Sequence, residues 1–235
     1  MKRIVDTEFE QLGREVRKPE TLRRWMQAYA AATSTTASYE TIRDAATSNR
    51  GDKPTKMTTR PYREILERLW IMEQVIAWVP SRNQFSRLTR PPKHHLADPA
   101  FVATLLGVDK DALLKGEESG PKIPRDGTLL GALFESLVTQ SVRVYAQPAE
   151  AEVKHLRTKG GRQEIDLIVE RRDQKVLALE VKLSRTVEDS DVKHLKWLED
   201  KMGDDLVDAA VINTGPNAYR REDGIAVIPA DLLTV

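Results

Sequence analysis

The chain has 235 residues, 40% of them apolar and 31% charged, which suffices for one large domain or two small ones with buried cores. It has no cysteine, which excludes disulfides, thiolate zinc sites and cysteine nucleophiles and suits a reducing cytoplasm. No apolar run approaches the ~18 residues of a membrane span, and the charged N-terminal stretch lacks the apolar centre of a signal peptide. We therefore predict a cytoplasmic protein with no membrane contact.

The formal net charge of +1 is unevenly distributed along the chain. Residues 1–98 carry 18 Lys/Arg and 12 Asp/Glu, whereas residues 99–235 carry 19 and 24. A basic front half and an acidic rear half suggest two modules with different partners. Differences of this size also arise by ordinary scatter, so the charge alone does not assign a nucleic-acid partner.

Apolar spacing and turn residues predict three helices and a strand pair in the front half. Their predicted bounds, in chain order, are 20–32, 38–48, 59–69, 71–79 and 90–96. Ser38 is the expected N-cap of the second helix, and Pro61 suits the first turn of the third. This order is typical of a winged helix-turn-helix, whose third helix usually enters the major groove of DNA.

Basic residues on and before the third predicted helix are candidates for phosphate contacts. They are Arg50, Lys53, Lys56, Arg60 and Arg63. DNA is therefore a predicted partner. A second interpretation stays open, because many winged helices bind proteins and charges on a helix face are usually just solvated.

The expected domain boundary follows a further helix, which runs from an N-cap at Asp98 to Gly107. Residues 109–127 are rich in glycine, proline and charge, which is typical of a linker. We therefore predict three parts: a winged-helix-like domain over 1–108, a linker over 109–127 and a second domain over 128–235.

The second domain has a predicted order of one helix, three strands, a helix and two strands. The predicted bounds are 128–144, 151–158, 163–171, 175–183, 190–202 and two segments within 208–235, with Gly160-Gly161 as a hairpin turn. The first helix is expected to bury Leu133, Phe134, Leu137 and Val138. Such an order suits a mixed sheet flanked by helices, of the α+β or α/β class.

Charged side chains interrupt two of these apolar strands. Because successive strand side chains point to opposite faces of a sheet, Asp166 is expected on the face opposite to that of Ile165 and Leu167. Glu180 and Lys182 are expected to share one face of the next strand. If the two strands pair, the hairpin brings Asp166, Glu180 and Lys182 together.

This trio suits phosphodiester hydrolysis. Mg²⁺ or Mn²⁺ prefers hard oxygen ligands and keeps most of its waters, so Asp166 and Glu180 are the predicted metal ligands, with the carbonyl of Val181 as a third. Lys182 would position a water or neutralise developing charge. A cross-strand salt bridge without any function explains Glu180 and Lys182 equally well by itself.

Two further residues are candidates for the same site. Glu135, on the helix before the sheet, is expected to reach the metal's waters, and Arg157, just before the hairpin turn, to contact a phosphate. No phosphate-cradling G-x-x-x-x-G-K-[ST] loop occurs, so no nucleotide site is predicted in this chain.

The hairpin, with Asp166 followed by Glu180-Val181-Lys182, resembles the PD-(D/E)XK nuclease-like fold. Over residues 20–230 the chain resembles the domain of unknown function that follows the AAA+ module in many prokaryotic ATP-binding proteins. The blocks that carry this resemblance are LRRWMQAYAAATS, PPKHHLADPAFVATLLG, LLGALFESLV, RQEIDLIVE, LALEVKLS and DGIAVIP.

The resemblance implies a winged-helix-like front half and a restriction-endonuclease-like rear half in which Glu135, Asp166, Glu180 and Lys182 form the nuclease-like site. It also implies an AAA+ ATPase module upstream. That module is missing from the given sequence, so either Met1 begins a piece of a longer protein or the chain is a stand-alone remnant.

Three functions are compatible with these observations. The first is a Mg²⁺-dependent DNA endonuclease governed by an ATPase. The second is a non-catalytic nucleic-acid-binding module, and the third a protein-interaction module that regulates the ATPase. The sequence predicts no oligomeric state.

Overall fold

The structure of the protein is a computed structural model that describes residues 19–47, 55–80, 90–116, 120–125 and 127–233. The chain divides into two compact units. The first comprises Met1–Gln74 and Lys93–Leu133, and the second Val75–Pro92 and Phe134–Val235. Within the described residues, no helix combines the length and the apolar character needed to cross a membrane.

The first unit is mainly helical. Its elements are α1 (Pro19–Ala31), α2 (Tyr39–Ala45), α3 (Lys56–Arg68), β1 (Met72–Val75), β2 (Lys93–Leu96), α4 (Pro99–Leu106) and α5 (Lys110–Leu114). The two strands pair in a small sheet, and the helices bury one apolar cluster that includes Leu22, Trp25, Tyr29, Ile42 and Leu66. Three helices followed by a strand pair occur as predicted. The short α5 lies in the stretch that the sequence assigns to a linker.

Capping residues explain where these helices begin. The Oγ of Ser38 accepts the amide of Thr41 at 3.0 Å, so the predicted N-cap of α2 is confirmed. The prediction for α3 was wrong by three residues, because Thr55 caps the helix by accepting the amide of Thr58 at 3.2 Å. Pro61 therefore lies inside α3, where it cannot supply the usual amide donor to the carbonyl four residues earlier.

The apolar run predicted as one strand over 71–79 divides between two partners. Its first part, β1, pairs with β2, whereas Ala77 forms an isolated parallel bridge with His155. The amide of Trp78 donates to the carbonyl of His155 at 2.6 Å, and the buried Trp78 ring packs in an apolar cluster of the second unit. The end of this run therefore belongs to the second unit, although the sequence suggested a single strand of the first.

The second unit is a six-stranded mixed sheet with helices, which confirms the predicted fold class at that level. The elements are α6 (Leu129–Ala146), whose first residues belong to the first unit, β3 (Glu152–Arg157), β4 (Glu164–Glu170), β5 (Val176–Val181), α7 (Asp189–Met202), β6 (Leu206–Asn213), β7 (Tyr219–Arg220) and β8 (Ala226–Pro229). The strand order is β3-β4-β5-β6-β8-β7. Strands β3, β4 and β5 pair antiparallel, β6 is parallel to both β5 and β8, and β7 pairs antiparallel with β8.

Two apolar clusters involve this sheet. One contains Ile168 and Ala178 of the sheet with Val192, Leu195 and Leu198 of α7. The other contains Leu167, Leu179 and Ile212 of the sheet with Val138 and Val142 of α6. The predicted burial of Leu137 was wrong, since its exposed fraction is 49%. Small polar residues, Ser136 and Thr139, are buried on α6 instead.

A β-bulge in β4 changes the predicted alternation of side chains. Lys154 pairs with Ile168 and Leu156 with Ile165, so Asp166 and Leu167 together oppose the single residue His155. Because of the extra residue, Ile165 and Ile168 lie in the same cluster, although strict alternation places them on opposite faces. The bulge falls at Asp166, and bulges of this kind redirect side chains near functional sites.

Candidate functional site

The β4–β5 hairpin brings Asp166 next to the Glu180-Val181-Lys182 segment. Leu167 pairs with Leu179, and continuing this register by one residue sets Asp166 opposite Glu180. The Oδ2 atom of Asp166 accepts the main-chain amide of Val181 at 2.9 Å. The carboxylate of Asp166 is thereby held at the end of β5, at the residue that separates Glu180 from Lys182 in the sequence.

Glu180 and Lys182 form an ion pair at the same strand end. The Nζ of Lys182 donates to Oε1 of Glu180 at 2.8 Å, and the exposed fraction of Glu180 is only 6%. Burial by itself lowers the pKa of Lys182. The charge and hydrogen bond of Glu180, with the charges of Asp166 and Asp191, outweigh this effect and raise the pKa above its ordinary value. Lys182 therefore remains a cation beside two carboxylates.

The chemistry of these donors fits one class of metal ion. Two carboxylates on neighbouring strand ends are hard ligands, and Mg²⁺ is commonly held by one or two carboxylates together with waters. Across the described ranges, no set of three or more His, Asp or Glu side chains is placed to hold a metal ion. A zinc site, which usually takes at least three protein ligands, is therefore not supported by the described residues.

The structure does not bring Glu135 into such a set with Asp166 and Glu180. Glu135 is half-buried on α6, and its main-chain carbonyl accepts the hydroxyl of Thr139 at 2.8 Å. Its predicted contact with metal-bound water remains a prediction.

The basic residues predicted to contact DNA are only partly described. Arg50 and Lys53 lie outside the described residues, and Lys56 is exposed at the start of α3. The Nε of Arg60 lies 2.8 Å from Glu64 Oε1, with 75% of the Arg60 side chain exposed. Arg63 is 3.5 Å from Glu67 and lies over the ring of Tyr39 at 4.4 Å. Arg63 thus makes structural contacts within the first unit.

Arg157 also has an intramolecular partner. Its guanidinium donates to the Oε2 of Glu164, the residue that opposes it in the β3–β4 register. It also packs over Gly161, where a Cβ would lie 3.1 Å from the Nη2 of Arg157. Gly160 and Gly161 both have positive φ, 77° and 68°, as the predicted hairpin turn requires. A phosphate contact by Arg157 would compete with its pairing to Glu164.

Sequence reasoning did not associate two polar residues with this end of the sheet. His194 of α7 bonds through Nδ1 to the Oε1 of Gln163, just before β4. Asn213, the last residue of β6, has an exposed fraction of 1% and donates from Nδ2 to the carbonyl of Arg185 at 3.2 Å. The β5–β6 register, continued by one residue, sets Asn213 beside Lys182. The sequence indicates only the positions of these two residues. Asn213 ends a strand, and His194 is a polar residue on a helix.

Gly215 holds the chain after β6 close to the segment after β5, and replacing it with alanine should destabilise the protein. A Cβ there would lie 2.7 Å from the carbonyl oxygen of Arg185 and 2.8 Å from the Nδ2 of Asn213, so the main chain must shift. We expect Gly215→Ala to lower the free energy of unfolding by about 1–3 kcal/mol in urea titrations. Gly131→Ala is the control. Its Cβ meets Thr128 only at 3.5 Å inside α6, so it should raise stability by about 0.5–1 kcal/mol. Equal effects of the two variants would contradict the close approach at Gly215.

A cavity of about 900 Å³ lies elsewhere on the second unit. It is lined by residues at the opposite ends of β3, β4 and β5, among them Trp78, Lys154 and Glu170. Lys154 is 2% exposed and pairs with Glu170 and with Glu152, while Trp78 Nε1 donates to Glu170 at 3.0 Å. These contacts give Lys154 and Glu170 a structural role, so the candidate site stays at the hairpin end, where Asp166 meets the Glu180-Val181-Lys182 segment.

Two family models match the chain, each over less than half of it. Residues 130–233 match a domain of unknown function, DUF4143, and residues 1–112 match a different one, DUF8612. The sequence analysis predicted a single family over residues 20–230, whereas the matches assign the two halves of the chain to two different families. No curated protein matches the chain.

Two solved structures are similar to the chain at low sequence identity. One is a chain in a half-complex of Thermococcus gammatolerans McrB AAA+ hexamers with bound McrC, with 12% identity, 89% of this chain and 70% of that chain covered, and a TM-score of 0.30. The other is protein VC1899 from Vibrio cholerae, with 16% identity, coverage of 93% and 55%, and a TM-score of 0.30. Both TM-scores are low, so neither similarity bears on the fold or function. The match of residues 130–233 to DUF4143 supports the coarser part of the sequence resemblance, an AAA+-associated domain.

Proposed function

We propose that the chain is an accessory domain of a prokaryotic AAA+ ATPase whose second unit hydrolyses DNA phosphodiesters with Mg²⁺ in a PD-(D/E)XK-like site. One observation carries this proposal. The carboxylate of Asp166 is bonded to the amide of Val181, between the buried Glu180 and its partner Lys182. A purely structural salt bridge accounts for Glu180 and Lys182, but it gives no reason for a second carboxylate at the same strand end.

The arrangement of the sheet supports the proposal. The antiparallel hairpin β4–β5 is followed by α7 and the parallel strand β6. Ligands of open sheets commonly bind beyond the carboxyl ends of parallel strands. Lys182 follows the carboxyl end of β5, and Asn213 ends β6.

Each charged residue has a distinct role in the proposed reaction. Asp166 and Glu180 hold the cation, which when bound polarises the phosphate and acidifies water. Lys182, 2.8 Å from Glu180, places its ammonium where negative charge develops on the phosphate oxygens. The Lys182 ammonium also compensates the negative charge of the buried Glu180, to which it is bonded at 2.8 Å.

The test is cleavage of single-stranded, duplex and branched DNA with Mg²⁺ or Mn²⁺, with a chelator control. We expect metal-dependent cleavage by the wild type and at least about a 100-fold loss for Glu180→Gln, which removes a ligand charge while keeping the side chain's size. Glu199→Gln, an exposed change on α7, is the matched control. Circular dichroism establishes that each variant is folded.

Two outcomes would overturn the nuclease proposal. One is cleavage by Glu180→Gln at the wild-type rate, and the other is a folded wild type that cleaves none of the three substrates with either metal. DNA binding without cleavage, weakening steeply with salt, would favour a binding module that uses the exposed Lys56 and Arg60. Neither binding nor cleavage would favour a protein-interaction module that regulates the ATPase.

A further inference from the structure

We propose that His194 is a further catalytic residue of the hairpin site, whose Nε2 accepts the proton of the attacking water. This inference rests on the proposed function and deepens it, because it names the base. In the step, the O–H bond of water breaks and its proton moves to Nε2. The water oxygen bonds to phosphorus, the P–O bond to the leaving group breaks, and the leaving oxygen takes a proton from solvent.

Gln163 determines which nitrogen of His194 is the base. The Oε1 of an amide only accepts hydrogen bonds, so the Nδ1 of His194, which is bonded to it, must carry the hydrogen. In a neutral imidazole the other nitrogen, Nε2, then holds the lone pair. This is the division of roles found where an oriented histidine acts as a base, with one nitrogen held by an acceptor and the other directed at the reaction.

The main chain of Gln163 is itself held in position by Thr158. The main-chain N–H of Gln163 donates to the Oγ1 of Thr158 at 2.9 Å, and the main-chain carbonyl of Gln163 accepts the N–H of Thr158 at 2.9 Å. Both bonds close the hairpin between β3 and β4, three residues before Asp166. The orientation of His194 is therefore tied to the same strand that carries the candidate metal ligand.

Helix α7 places His194 against Gln163, three residues before Asp166. Its first turn is fixed by a capping box between Glu188 and Asp191. Val192, Leu195 and Leu198 are buried in the cluster that contains Ile168 and Ala178 of the sheet. His194 is half-buried, so its ring, which is bonded to Gln163, remains accessible.

The charges around His194 are those of the candidate site. Burial lowers the pKa of His194, and the positive charges of Lys193 and Lys182 lower it further. The negative charges of Glu164 and Asp166 raise it, but the net shift is downward. The imidazole is therefore neutral at neutral pH, as a proton acceptor must be, and its pKa responds to two charges of the candidate site, those of Lys182 and Asp166.

The other histidines offer an internal reference. The chain has four in total, and His94, His95 and His155 are 1–2% exposed. Their rings are enclosed by protein, so none of them can take a proton from a bound substrate water. His194 differs from all three in its accessibility.

The experiment joins nuclear magnetic resonance of ¹⁵N-labelled histidine with DNA cleavage. We expect the His194 ring to show the Nδ1–H tautomer, and Mn²⁺ to broaden its signals more than those of His94. Cleavage should fall by about 10²–10⁴-fold in His194→Gln. Gln163→Leu should lose the Nδ1–H tautomer and cleave more slowly. Gln163→Glu, which keeps a hydrogen-bond acceptor, should retain the Nδ1–H tautomer and the wild-type cleavage rate. Asp200→Asn, an exposed change on α7, is the matched control.

The outcomes separate this inference from the proposed function. An Nε2–H tautomer, equal Mn²⁺ broadening of His194 and His94, or wild-type cleavage by His194→Gln would overturn the role of His194 while leaving the nuclease intact. A wild type with the expected tautomer and broadening that cleaves no DNA would overturn the proposed function, and with it the catalytic role of His194, although the ring lies at the metal site.

Discussion

Asp166→Asn should remove cation binding while leaving the β4–β5 hairpin folded. In the wild type, the Oδ2 of Asp166 accepts the main-chain N–H of Val181 at 2.9 Å. Asparagine keeps a side-chain oxygen that can accept the same N–H, so this hydrogen bond should survive. What is lost is the negative charge that a hard divalent cation requires. Removing a residue that is hydrogen-bonded to a metal ligand typically lowers metal affinity by about 10–100-fold. Removing the charge of the ligand itself should lower the affinity by more than this.

Lys182→Met should produce the opposite combination. The cation ligands remain, so metal binding should persist, but cleavage should fall by about 10²–10³-fold, because a charge directed at the developing phosphate charge is gone. Isothermal calorimetry with Mn²⁺ and a cleavage assay separate the two effects. Lys201→Met, an exposed lysine of α7, is the matched control. If both variants keep metal binding and cleavage, the hairpin is a structural salt bridge.

Glu170→Gln should destabilise the protein more than any comparable change at an exposed carboxylate. Glu170 faces Lys154, whose side chain is only 2% exposed. Glutamine can still accept the indole N–H of Trp78, which is bonded to Glu170 Oε1 at 3.0 Å, so the variant isolates the charge. The variant leaves the buried Lys154 ammonium paired with the mostly exposed Glu152, which should cost about 3–5 kcal/mol in unfolding free energy, measured by urea denaturation.

A double variant and a surface pair serve as controls for Glu170→Gln. Lys154→Met/Glu170→Gln removes both charges and should recover most of the lost stability. Glu150→Gln breaks the pair with Arg172, in which the side chains are 62% and 78% exposed, and should cost less than about 1 kcal/mol. A double variant as unstable as Glu170→Gln alone would show that packing, and not the uncompensated charge, is responsible.

Local signals allowed much of the fold to be predicted. Ser38 caps α2, Asp98 caps α4 and Gly107 ends it with a φ of 67°. These features depend on interactions within a few residues, which the sequence shows directly. The start of α3 was mispredicted because Pro61 was assigned to the first turn, whereas the hydroxyl of Thr55 caps the helix earlier in the chain.

The candidate site was predicted in part. The proximity of Asp166 to the Glu180-Val181-Lys182 segment follows from alternation and a hairpin turn, both of which are visible in the sequence. His194 and Gln163 were not foreseen as a pair, because they are 31 residues apart and meet only when α7 packs on the sheet. The bulge at Asp166 was also missed, since an extra residue in one strand is defined only against its partner.

By itself, the sequence determined the caps of α2 and α4, the Gly160-Gly161 turn and the three charged residues around the β4–β5 hairpin, because each depends on neighbours along the chain. Only the tertiary structure decided that Trp78 packs in the second unit, that Arg63 lies over Tyr39 and that Gln163 bonds to His194. Those contacts join residues distant in sequence, and their partners are selected by burial and charge in the folded chain.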